Sequence, residues 1–411
     1  MNLNEISGQR QLAFMQQFDY IREAGTEGEY RAAATLQKEL ASFGIESRLE
    51  PFEFSGLRVL ETTFTVTEPF EKSYTVTGYG RCGDTPEGGI EAPFLYAENG
   101  DDISLSFARG KIVMVNNPMM PDMYAKLLKA GAVAFLTIAG SPIDEGEDRI
   151  PAARALRMPE TPIQGAAIHM LDAMEIVENG ASRARLTVKQ EAYTGISNNV
   201  IATIPGSDLA DEILTLTAHY DSVPAGPGAY DNMAGCAIIM ELCRYFAVHQ
   251  PRRTIEFVWF GAEEKGLVGS RHYVVARQDQ MDKHKFNMNV DLAGQLVGGT
   301  VIGVTGDPSI CSMIEYMAHE IGRGMTTRNA VWGSDSNCFA WKGVPAMTLN
   351  RDGFGMHTRH DTLALISPWS LERSAQLLGH IADNLAQIPV MPFKRDIPED
   401  FARSLDRFLN R

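Results

Sequence analysis

Acid and imidazole side chains stand at the ends of apolar runs within residues 214–264, which read LTLTAHYDSVPAGPGAYDNMAGCAIIMELCRYFAVHQPRRTIEFVWFGAEE. Both strand-like runs, and the Gly/Pro-rich loop between them, stop at such groups. These residues are His219, Asp221, Asp231, Glu263 and Glu264. In open α/β sheets, ligand sites collect just outside the carboxyl ends of the strands, so residues at two such ends can converge on one crevice. The pattern therefore predicts a metal site suited to hydrolysis.

The spacing of these residues indicates different tasks for them. His219 and Asp221 are two positions apart, so on an extended segment both side chains point to the same face. One can bind metal while the other accepts the remaining N–H of the ring. Asp231 follows a turn-rich loop and can bridge two ions, which in hydrolytic sites lie roughly 3.5–4 Å apart. Glu263 and Glu264 point in different directions, so one can bind metal while the other handles the proton of the attacking water, and spacing leaves the assignment open.

Two further strand-like runs end in the same kind of group. Residues 285–290 are followed by Asp291, and His357 lies in a loop after another predicted strand. The four positive charges of two divalent cations would be cancelled by Asp231, Glu264, one further carboxylate and a bridging hydroxide. A single acid of this kind is an ordinary solvated strand end. The ordered set favours chemistry.

Composition limits the classes of protein to which the chain can belong. Its 411 residues are too many for one ordinary core and predict two or three domains. The formal net charge of −15 argues against nucleic acid and anionic membranes as partners, because both need clustered Lys and Arg. No segment approaches the roughly 20 apolar residues of a membrane span, and the first residues lack a basic-then-apolar signal sequence. We therefore expect a cytoplasmic protein, and the sequence leaves its oligomeric state open.

The cysteines predict buried, reduced thiols. They are odd in number and none forms a CxxC pair: Cys82, Cys236, Cys243, Cys311 and Cys338. Cys236 and Cys243 are seven positions apart in a helical apolar pattern, which is typical of core positions.

The first 190 residues or so predict a helix-then-strand beginning followed by a β-rich module. Helices are predicted at 9–24 and 30–43, and a strand at 45–54. Residues 59–79 have the Thr, Val, Phe and Tyr content of β-hairpins. The remaining predictions are strands at 110–115, 131–136 and 185–189, helices at 124–130 and 167–180, and a loop rich in Pro and charge at 141–162.

From residue 196 onward, strands and helices alternate. The predicted strands are 196–206, 213–218, 254–260, 285–290, 299–304 and 345–349, and the predicted helices are 234–248, 267–277, 309–322 and 370–386. This βαβ rhythm implies an α/β fold with a mixed, mostly parallel sheet sandwiched by helices.

Seven segments in this order resemble a family of di-zinc exopeptidases that includes bacterial leucyl aminopeptidase, aminopeptidase Y, glutamate carboxypeptidase, transferrin receptor and glutaminyl cyclase. They are ISNNVIATIPGS, AHYDS, AYDNMAG, FGAEEKGLVGS, NVDLAG, GSDSNCFAWKGVPA and HTRHDT, and they span residues 196–362. An earlier segment, GTEGEYRAAATLQKELASFGIE, resembles the first helix of the family's fold. The resemblance implies the phosphorylase/hydrolase-like core of a zinc exopeptidase.

The resemblance also implies a domain division. Residues 1–56 and 192–411 would form the zinc exopeptidase catalytic domain. Residues 57–191, with ARGKIVMV and KLLKAGAVAFL, resemble a small β-rich protease-associated (PA) domain inserted into it.

Carried over position by position, the family's roles fall on the residues found above. One zinc would be held by His219 and Asp291 and the other by Glu264 and His357, with Asp231 bridging. Glu263 would be the general base and acid, with Asp221 as the partner of His219 and Asp361 as a further acid near His357. The resemblance thus separates the two adjacent glutamates, which spacing alone could not.

These roles imply a co-catalytic di-zinc aminopeptidase that removes the N-terminal residue from peptides with a free N-terminus. Glu263 would activate a bridging water, and Co²⁺ or Mn²⁺ could replace the two Zn²⁺ ions in vitro. The tyrosine that some relatives place beside the developing oxyanion is missing, since Met356 and residues 331–333 hold those positions. Arg351 and Arg359 flank His357 and are either ion-paired surface groups or a grip on a substrate carboxylate.

Three alternatives follow from the same resemblance. A carboxypeptidase or dipeptidase would use the arginines to hold the free carboxylate of its substrate. A glutaminyl cyclase would bind one zinc. A catalytically silent binding protein, of which transferrin receptor is the example, would have lost ligands, and all of them are present here.

Overall fold

The computed structural model describes residues 1–116, 118–143 and 163–409. The chain divides into two compact units, of which the first comprises Met1–Phe54 and Gly195–Arg411 and the second Ser55–Thr194. The sequence prediction put the boundaries after residues 56 and 191. Both boundaries lie inside long strands, where composition gives no signal for them.

The described residues form thirteen strands. They are β1 (Ser47–Glu68), β2 (Lys72–Gly78), β3 (Ile90–Tyr96), β4 (Ile112–Val115), β5 (Ala134–Ala139), β6 (Gln164–His169), β7 (Arg183–Ile204), β8 (Leu209–His219), β9 (Arg253–Phe260), β10 (His284–Val290), β11 (Thr300–Thr305), β12 (Thr326–Asn329) and β13 (Ala346–Arg351). The α-helices of the described residues are α1 (Gly8–Met15), α2 (Glu27–Ser42), α3 (Asp102–Leu105), α4 (Pro121–Ala130), α5 (Met170–Glu178), α6 (Ala234–Val248), α7 (Val268–Ala276), α8 (Ser309–Glu320), α9 (Ser336–Trp341), α10 (Pro368–Gln387) and α11 (Glu399–Leu409).

The sheet of the first unit is mixed and mostly parallel. Its strand order is β7-β9-β8-β10-β13-β11-β12. The pairs β9–β8, β8–β10, β10–β13 and β11–β12 are parallel, whereas β7–β9 and β13–β11 are antiparallel. Together with the helices on its two faces, this sheet confirms the predicted fold class.

Strand β9 shows why the sheet needs a helical layer on each face. All eight of its residues are buried. Ile255, Phe257 and Trp259 alternate with Val258 and Phe260, and the two sets belong to different hydrophobic clusters. The first cluster includes residues of α1, α6 and α10, and the second residues of α7, α9 and α11. Because successive side chains of a strand point to opposite faces, this strand is anchored from both sides.

The second unit has its own sheet and its own core. Its strands pair in the order β1-β2-β6-β5-β4-β3-β7. Helices α3, α4 and α5 accompany this sheet, and residues such as Phe64, Phe135 and Leu136 are fully buried in its hydrophobic cluster. No helix within the described ranges is both long enough and apolar enough to cross a bilayer.

Several local predictions were wrong. The helix predicted at 9–24 ends at Met15, with one further 3₁₀ turn to Phe18. Residues 164–169, part of them predicted as helix, form β6, and the strands predicted at 185–189 and 196–206 are one strand, β7. In the two strands, pairing with neighbouring strands overrode a short local pattern. Most of the loop predicted at 141–162 lies outside the described residues.

The cysteines form no disulfide among themselves. All five thiols are free, and four of them are buried, whereas Cys311 is only partly so. Cys236 and Cys243 lie in the buried part of α6, as their spacing predicted.

The buried His284 in β10 predicts a loss of stability in acid. Its Nδ1 lies 2.8 Å from Thr215 Oγ1, and burial, followed by the positive charges of Arg277 and Arg395, lowers the pKa of the ring to about 4. The unfolded chain binds this proton near pH 6.5, so protonation favours the unfolded state between those values. We expect this group to cost about 2 kcal/mol of stability between pH 7 and pH 5.

Denaturant unfolding of the wild type and of His284→Asn at both pH values measures this contribution. The pH dependence should be smaller in the variant by about that amount. An equal pH dependence in the two proteins would assign the acid sensitivity to other groups.

Candidate metal centre

Four adjacent parallel strands deliver the predicted residues to one edge of the sheet. His219 is the last residue of β8, and Asp221 lies two residues after it. Glu263 and Glu264 come just after β9, Asp291 directly after β10, and His357 in the loop after β13. Asp231 lies in a π-helical turn, Ala229–Met233, that leads into α6. The strand order β9-β8-β10-β13 therefore explains how residues far apart in sequence meet.

Two groups of side chains share Asp231. His219 Nε2 lies 3.0 Å from Asp231 Oδ1 and 3.5 Å from Asp291 Oδ1. His357 Nε2 lies 3.0 Å from Asp231 Oδ2 and 3.2 Å from Glu264 Oε1. Each oxygen of Asp231 thus faces a different histidine, which is the arrangement a bridging carboxylate requires.

The donor atoms of these groups suit metal ions. Within each group, one atom from every residue lies within 4.8 Å of the others. Glu264 Oε1 is buried and, apart from His357 Nε2 at 3.2 Å, contacts no donor among the described residues, and such an acceptor is costly unless a cation or donor satisfies it. One imidazole and two carboxylates per group are a ligand set that zinc accepts.

The pKa values of His219 and His357 reflect the carboxylates packed around the two rings. Burial alone would lower the pKa of His219, but Glu263, Asp221, Asp231 and Asp291 together raise that pKa well above its usual value. Burial likewise opposes protonation of His357, yet its hydrogen bonds to Asp231 and Glu264 raise its pKa to about 10. The carboxylates around both rings would likewise stabilise the positive charge of bound metal ions.

Glu263 lies beside these groups without being part of either. Burial, and after it the negative charges of Glu264, Asp335 and Asp291, raise the pKa of Glu263 well above the usual value for a carboxyl group, against the opposing effect of His219. A carboxyl group whose pKa has been moved toward neutrality can both accept and return a proton.

Left-handed backbone conformations occur at three positions of the site. Ala262, directly before Glu263, has φ +52°, Leu292, directly after Asp291, has φ +68°, and His357 itself has φ +62°. A residue with a β-carbon adopts this region only at an energetic cost, so such positions collect at functional sites. These turns aim the strand-end side chains, and nothing in the sequence signals them.

Two outer carboxylates fix the backbone on which the inner side chains stand. Asp221 accepts hydrogen bonds from the N–H groups of Glu263 (3.0 Å) and Glu264 (3.1 Å). Its Oδ1 also lies 3.6 Å from His219 Nδ1, whereas its own carbonyl oxygen is 3.3 Å from that nitrogen. The carboxylate predicted to orient His219 therefore also holds the two adjacent glutamates.

Asp361 does the same for the loop that carries Asp231. Its Oδ1 accepts the N–H of Tyr230 (2.6 Å) and its Oδ2 the N–H of Asp231 (3.0 Å). Burial raises the pKa of Asp361 to about 6, with Asp231 adding to the effect and the two backbone donors opposing it. The sequence had placed this acid near His357 and had not predicted its grip on the Asp231 turn.

Two further positioning residues were missed from the sequence. Arg22 is fully buried and donates to the carbonyl oxygens of Tyr220 and Gly228, so it joins the end of β8 to the start of the Asp231 turn. Ser334 Oγ donates to Asp291 Oδ2 at 2.5 Å. Neither residue has a signal in the sequence that separates it from an ordinary surface side chain.

The two arginines that flank His357 lie in different surroundings. Arg351 is buried, and its guanidinium donates to the carbonyl oxygens of Gln295 and Leu296 and to Thr300 Oγ1. Arg359 is exposed. Arg351 therefore has its donors committed elsewhere, which argues against one of the two candidates for a substrate grip.

The Asp361 clamp gives a prediction for metal affinity. Asp361→Asn keeps one acceptor but cannot accept both N–H groups, so the Asp231 turn loosens. Loss of such an outer partner typically costs about 10–100-fold in metal affinity. Metal titration of the apoprotein measures the effect, and Asp352→Asn, which alters a carboxylate in the same loop region, serves as the control. Equal affinities in the two variants would contradict the clamp.

Comparison with known proteins shows which families and structures the chain resembles. Residues 199–382 match the model described as peptidase family M28. Carboxypeptidase Q of Bos taurus is 26% identical over 407 residues, covering 90% of this chain and 83% of the relative. Aminopeptidase YwaD of Bacillus subtilis (strain 168) is 26% identical over 277 residues, covering 66% of this chain and 58% of the relative.

A solved structure shares the fold over almost the whole chain. The structure of BSAP, a zinc aminopeptidase from Bacillus subtilis, superposes with a TM-score of 0.78 at 22% identity and covers 96% of this chain and 99% of that one.

Proposed function

We propose that the chain is a di-zinc aminopeptidase of peptidase family M28, the family whose model matches residues 199–382. That match supports a zinc-dependent exopeptidase. The observation that carries the finer proposal is the pair of ligand groups that share Asp231, one with His219 and Asp291 and the other with Glu264 and His357. The B. subtilis protein with the same fold is itself described as a zinc aminopeptidase.

The proposed chemistry divides between the ions and the chain. When bound, the two ions would polarise the peptide carbonyl and lower the pKa of a water molecule. Glu263 takes the proton of that water and passes it to the departing amine, because it is the partly buried carboxyl group beside both groups. Asp221 keeps Glu263 in place by holding its backbone N–H. The hydrogen bond from Ser334 fixes the orientation of Asp291.

The balance of charge supports cleavage at the amino end. Asp231, Glu264, Asp291 and Glu263 would balance two divalent ions and a neutral water molecule, and Asp221 and Asp361 then remain as further acids behind these residues. A substrate ammonium group would be attracted to this region and a substrate carboxylate repelled. This argument favours a free N-terminus as the recognised end.

A carboxypeptidase is the second candidate, because carboxypeptidase Q matches 90% of the chain. Such an enzyme needs cationic donors for the free carboxylate of its substrate. Arg351 has its donors committed to Gln295, Leu296 and Thr300, which leaves Arg359 as the remaining sequence candidate. The balance of charges therefore favours the aminopeptidase.

Three versions of one tripeptide separate these candidates. We expect the zinc-loaded protein to cleave the peptide with both ends free and the version with an amidated C-terminus. We expect it to leave the N-acetylated version intact. The reverse preference would make the protein a carboxypeptidase. Formation of pyroglutamate from an N-terminal glutamine peptide, with no release of amino acid, would make it a glutaminyl cyclase.

We also propose that residues 55–194 are a protease-associated domain. The unit is β-rich, has its own hydrophobic core, and lies outside the residues that the family model matches. Deleting the unit and assaying short and long peptides would show whether it contributes to substrate selection. Unchanged kinetics on both would leave it without that role.

A further inference from the structure

A second pocket in the first unit has walls of arginine. Its volume is about 180 Å³. The three arginines come from three places in the chain: Arg323 follows α8, Arg351 ends β13, and Arg373 lies in α10. Trp369 and Gly299 complete its lining on two sides. None of the residues that line this pocket belongs to the proposed metal ligands.

Arg351 forms the buried floor of this arginine pocket. Only 8% of its surface is exposed. Its hydrogen bonds go to the carbonyl oxygens of Gln295 and Leu296 and to the hydroxyl of Thr300, which are all uncharged. The guanidinium is therefore held in place by uncharged acceptors, and Asp352 acts on its positive charge without a direct contact. Burying such a charge without an acid partner is costly unless a ligand supplies the counter-charge.

The other two arginines also lack an acid partner. Arg323 contacts the side-chain oxygen of Gln376, and its Nε is buried without a hydrogen-bond partner. Arg373 stacks on the ring of Trp369, with its guanidinium carbon 4.6 Å from the ring centroid. Within the described part of the chain, no carboxylate forms a salt bridge with either of them. Three such arginines in one pocket stand out in a chain of net charge −15.

The carboxylates nearest to this pocket are occupied elsewhere. Glu372 Oε2 accepts a hydrogen bond from the backbone N–H of Gly8 at 3.1 Å. Asp352 Oδ2 accepts one from the N–H of Gly299 at 3.2 Å. Both acids reduce the local positive potential, but neither neutralises an arginine through a direct contact.

Like charges in the pocket repel one another. Burial, and after it the positive charge of Arg373, lower the pKa of both Arg323 and Arg351. A bound anion would offset this repulsion, so the arrangement of charges favours the binding of an anion.

We propose that the arginine pocket binds a phosphate-type oxyanion, either free phosphate or the phosphate group of a small ester. Arg323 and Arg373 would present guanidinium donors that match the oxygens of phosphate, whereas Arg351, whose donors are committed, would contribute positive charge. Three positive charges also suit a dianion better than the single charge of a carboxylate.

The pocket adjoins the backbone that supports the metal centre. The hydroxyl of Tyr230 donates to the carbonyl oxygen of Arg351, and the N–H of Arg351 donates to the carbonyl oxygen of Leu292 at 2.8 Å. Tyr230 precedes Asp231 and Leu292 follows Asp291. The two sites are therefore neighbours with separate side chains, and each can be tested without altering the other.

Calorimetric titration of the zinc-loaded protein with phosphate tests the proposal. The comparison uses Arg373→Gln and Arg323→Gln, with Arg328→Gln as the control because it removes one exposed arginine outside the pocket. We expect phosphate affinity to fall about tenfold in each pocket variant, as the loss of a charge-assisted hydrogen bond predicts. The control should match the wild type. Phosphate that binds the metal ions contributes equally to all four proteins and cancels in the comparison.

Further arms and a second readout make the outcome decisive. Acetate should bind at least about tenfold more weakly than phosphate, because it carries one charge. Glycerol phosphate binding more tightly than free phosphate would identify an ester as the ligand, and the opposite order would identify the free ion. Phosphate should raise the unfolding temperature of the wild type and of the control more than that of the two pocket variants. Equal phosphate affinity in all four proteins, or acetate binding as tight as phosphate, would overturn the proposal.

Discussion

Glu263→Gln is expected to lower kcat by about 10²- to 10⁴-fold, because a positioned general acid–base group contributes rate enhancement of this size. Glutamine is nearly the same shape as glutamate but cannot take a proton from water. The side chain lies beside the two ligand groups but belongs to neither, so the ions should remain bound. Steady-state kinetics together with metal analysis of the same sample measure both effects.

The matched control for this experiment is Glu46→Gln. Glu46 is exposed, so the variant loses the same charge from the same chain without touching the site. It should have wild-type kinetics and metal content. If Glu263→Gln also turned over at the wild-type rate, the proton would have to travel by another route. If it lost its metal, Glu263 would be a ligand instead of the acid–base group.

Asp231→Asn is expected to remove metal from both groups, since the oxygens of Asp231 face His219 and His357 separately. An amide has one neutral oxygen and cannot bridge two cations as a carboxylate does. Activity should fall by more than about 100-fold, because loss of a residue that only positions a ligand already costs up to that much. The increase in unfolding temperature that zinc gives the wild type should shrink, because bound metal stabilises only a folded site.

The control for this variant is Asp279→Asn, an exposed acid in the 3₁₀ helix Gln278–Gln280. Metal content by mass spectrometry and thermal unfolding with and without zinc would be compared for the three proteins. Retention of both ions by Asp231→Asn would show that Asp231 is not shared between them, and the two groups would then have to be independent sites.

The strand-end pattern was sufficient to predict the fold class and to select candidate residues. His219, Glu263, Glu264 and Asp291 each stand at the end of an apolar run, and parallel strands bring such ends to one edge. Periodicity also located most of the helices and strands. The limits of local patterns show in α1, which ends at Met15, and in β7, which continues where two strands were predicted.

The backbone that aims these side chains could not be predicted. Ala262, Leu292 and His357 adopt left-handed conformations. Residues of these types normally avoid that region, so the sequence gives no sign of it. The hydrogen bond between Asp221 and the N–H of Glu263 joins residues 42 positions apart, and the one between Asp361 and the N–H of Asp231 joins residues 130 positions apart. Such pairings depend on the folded chain, because each acid alone resembles a solvated surface residue.

Arg351 shows how position in sequence can mislead about chemistry. Its place six residues before His357 suggested contact with substrate. In the structure, the backbone carbonyl of Arg351 accepts a hydrogen bond from Tyr230, which precedes the proposed ligand Asp231. The side chain of Arg351 lines the arginine pocket instead. The direction of a long side chain at a strand end depends on its neighbours in three dimensions, here the carbonyl oxygens of Gln295 and Leu296.

The number of zinc ions per chain tests the account most directly. Protein freed of metal and then reloaded with a small excess of zinc would be dialysed, and its zinc and protein contents measured by mass spectrometry and amino-acid analysis. The two groups that share Asp231 predict two ions per chain, with peptide hydrolysis returning as the metal is restored. One ion per chain, or none, would contradict the shared-carboxylate centre and the function proposed from it.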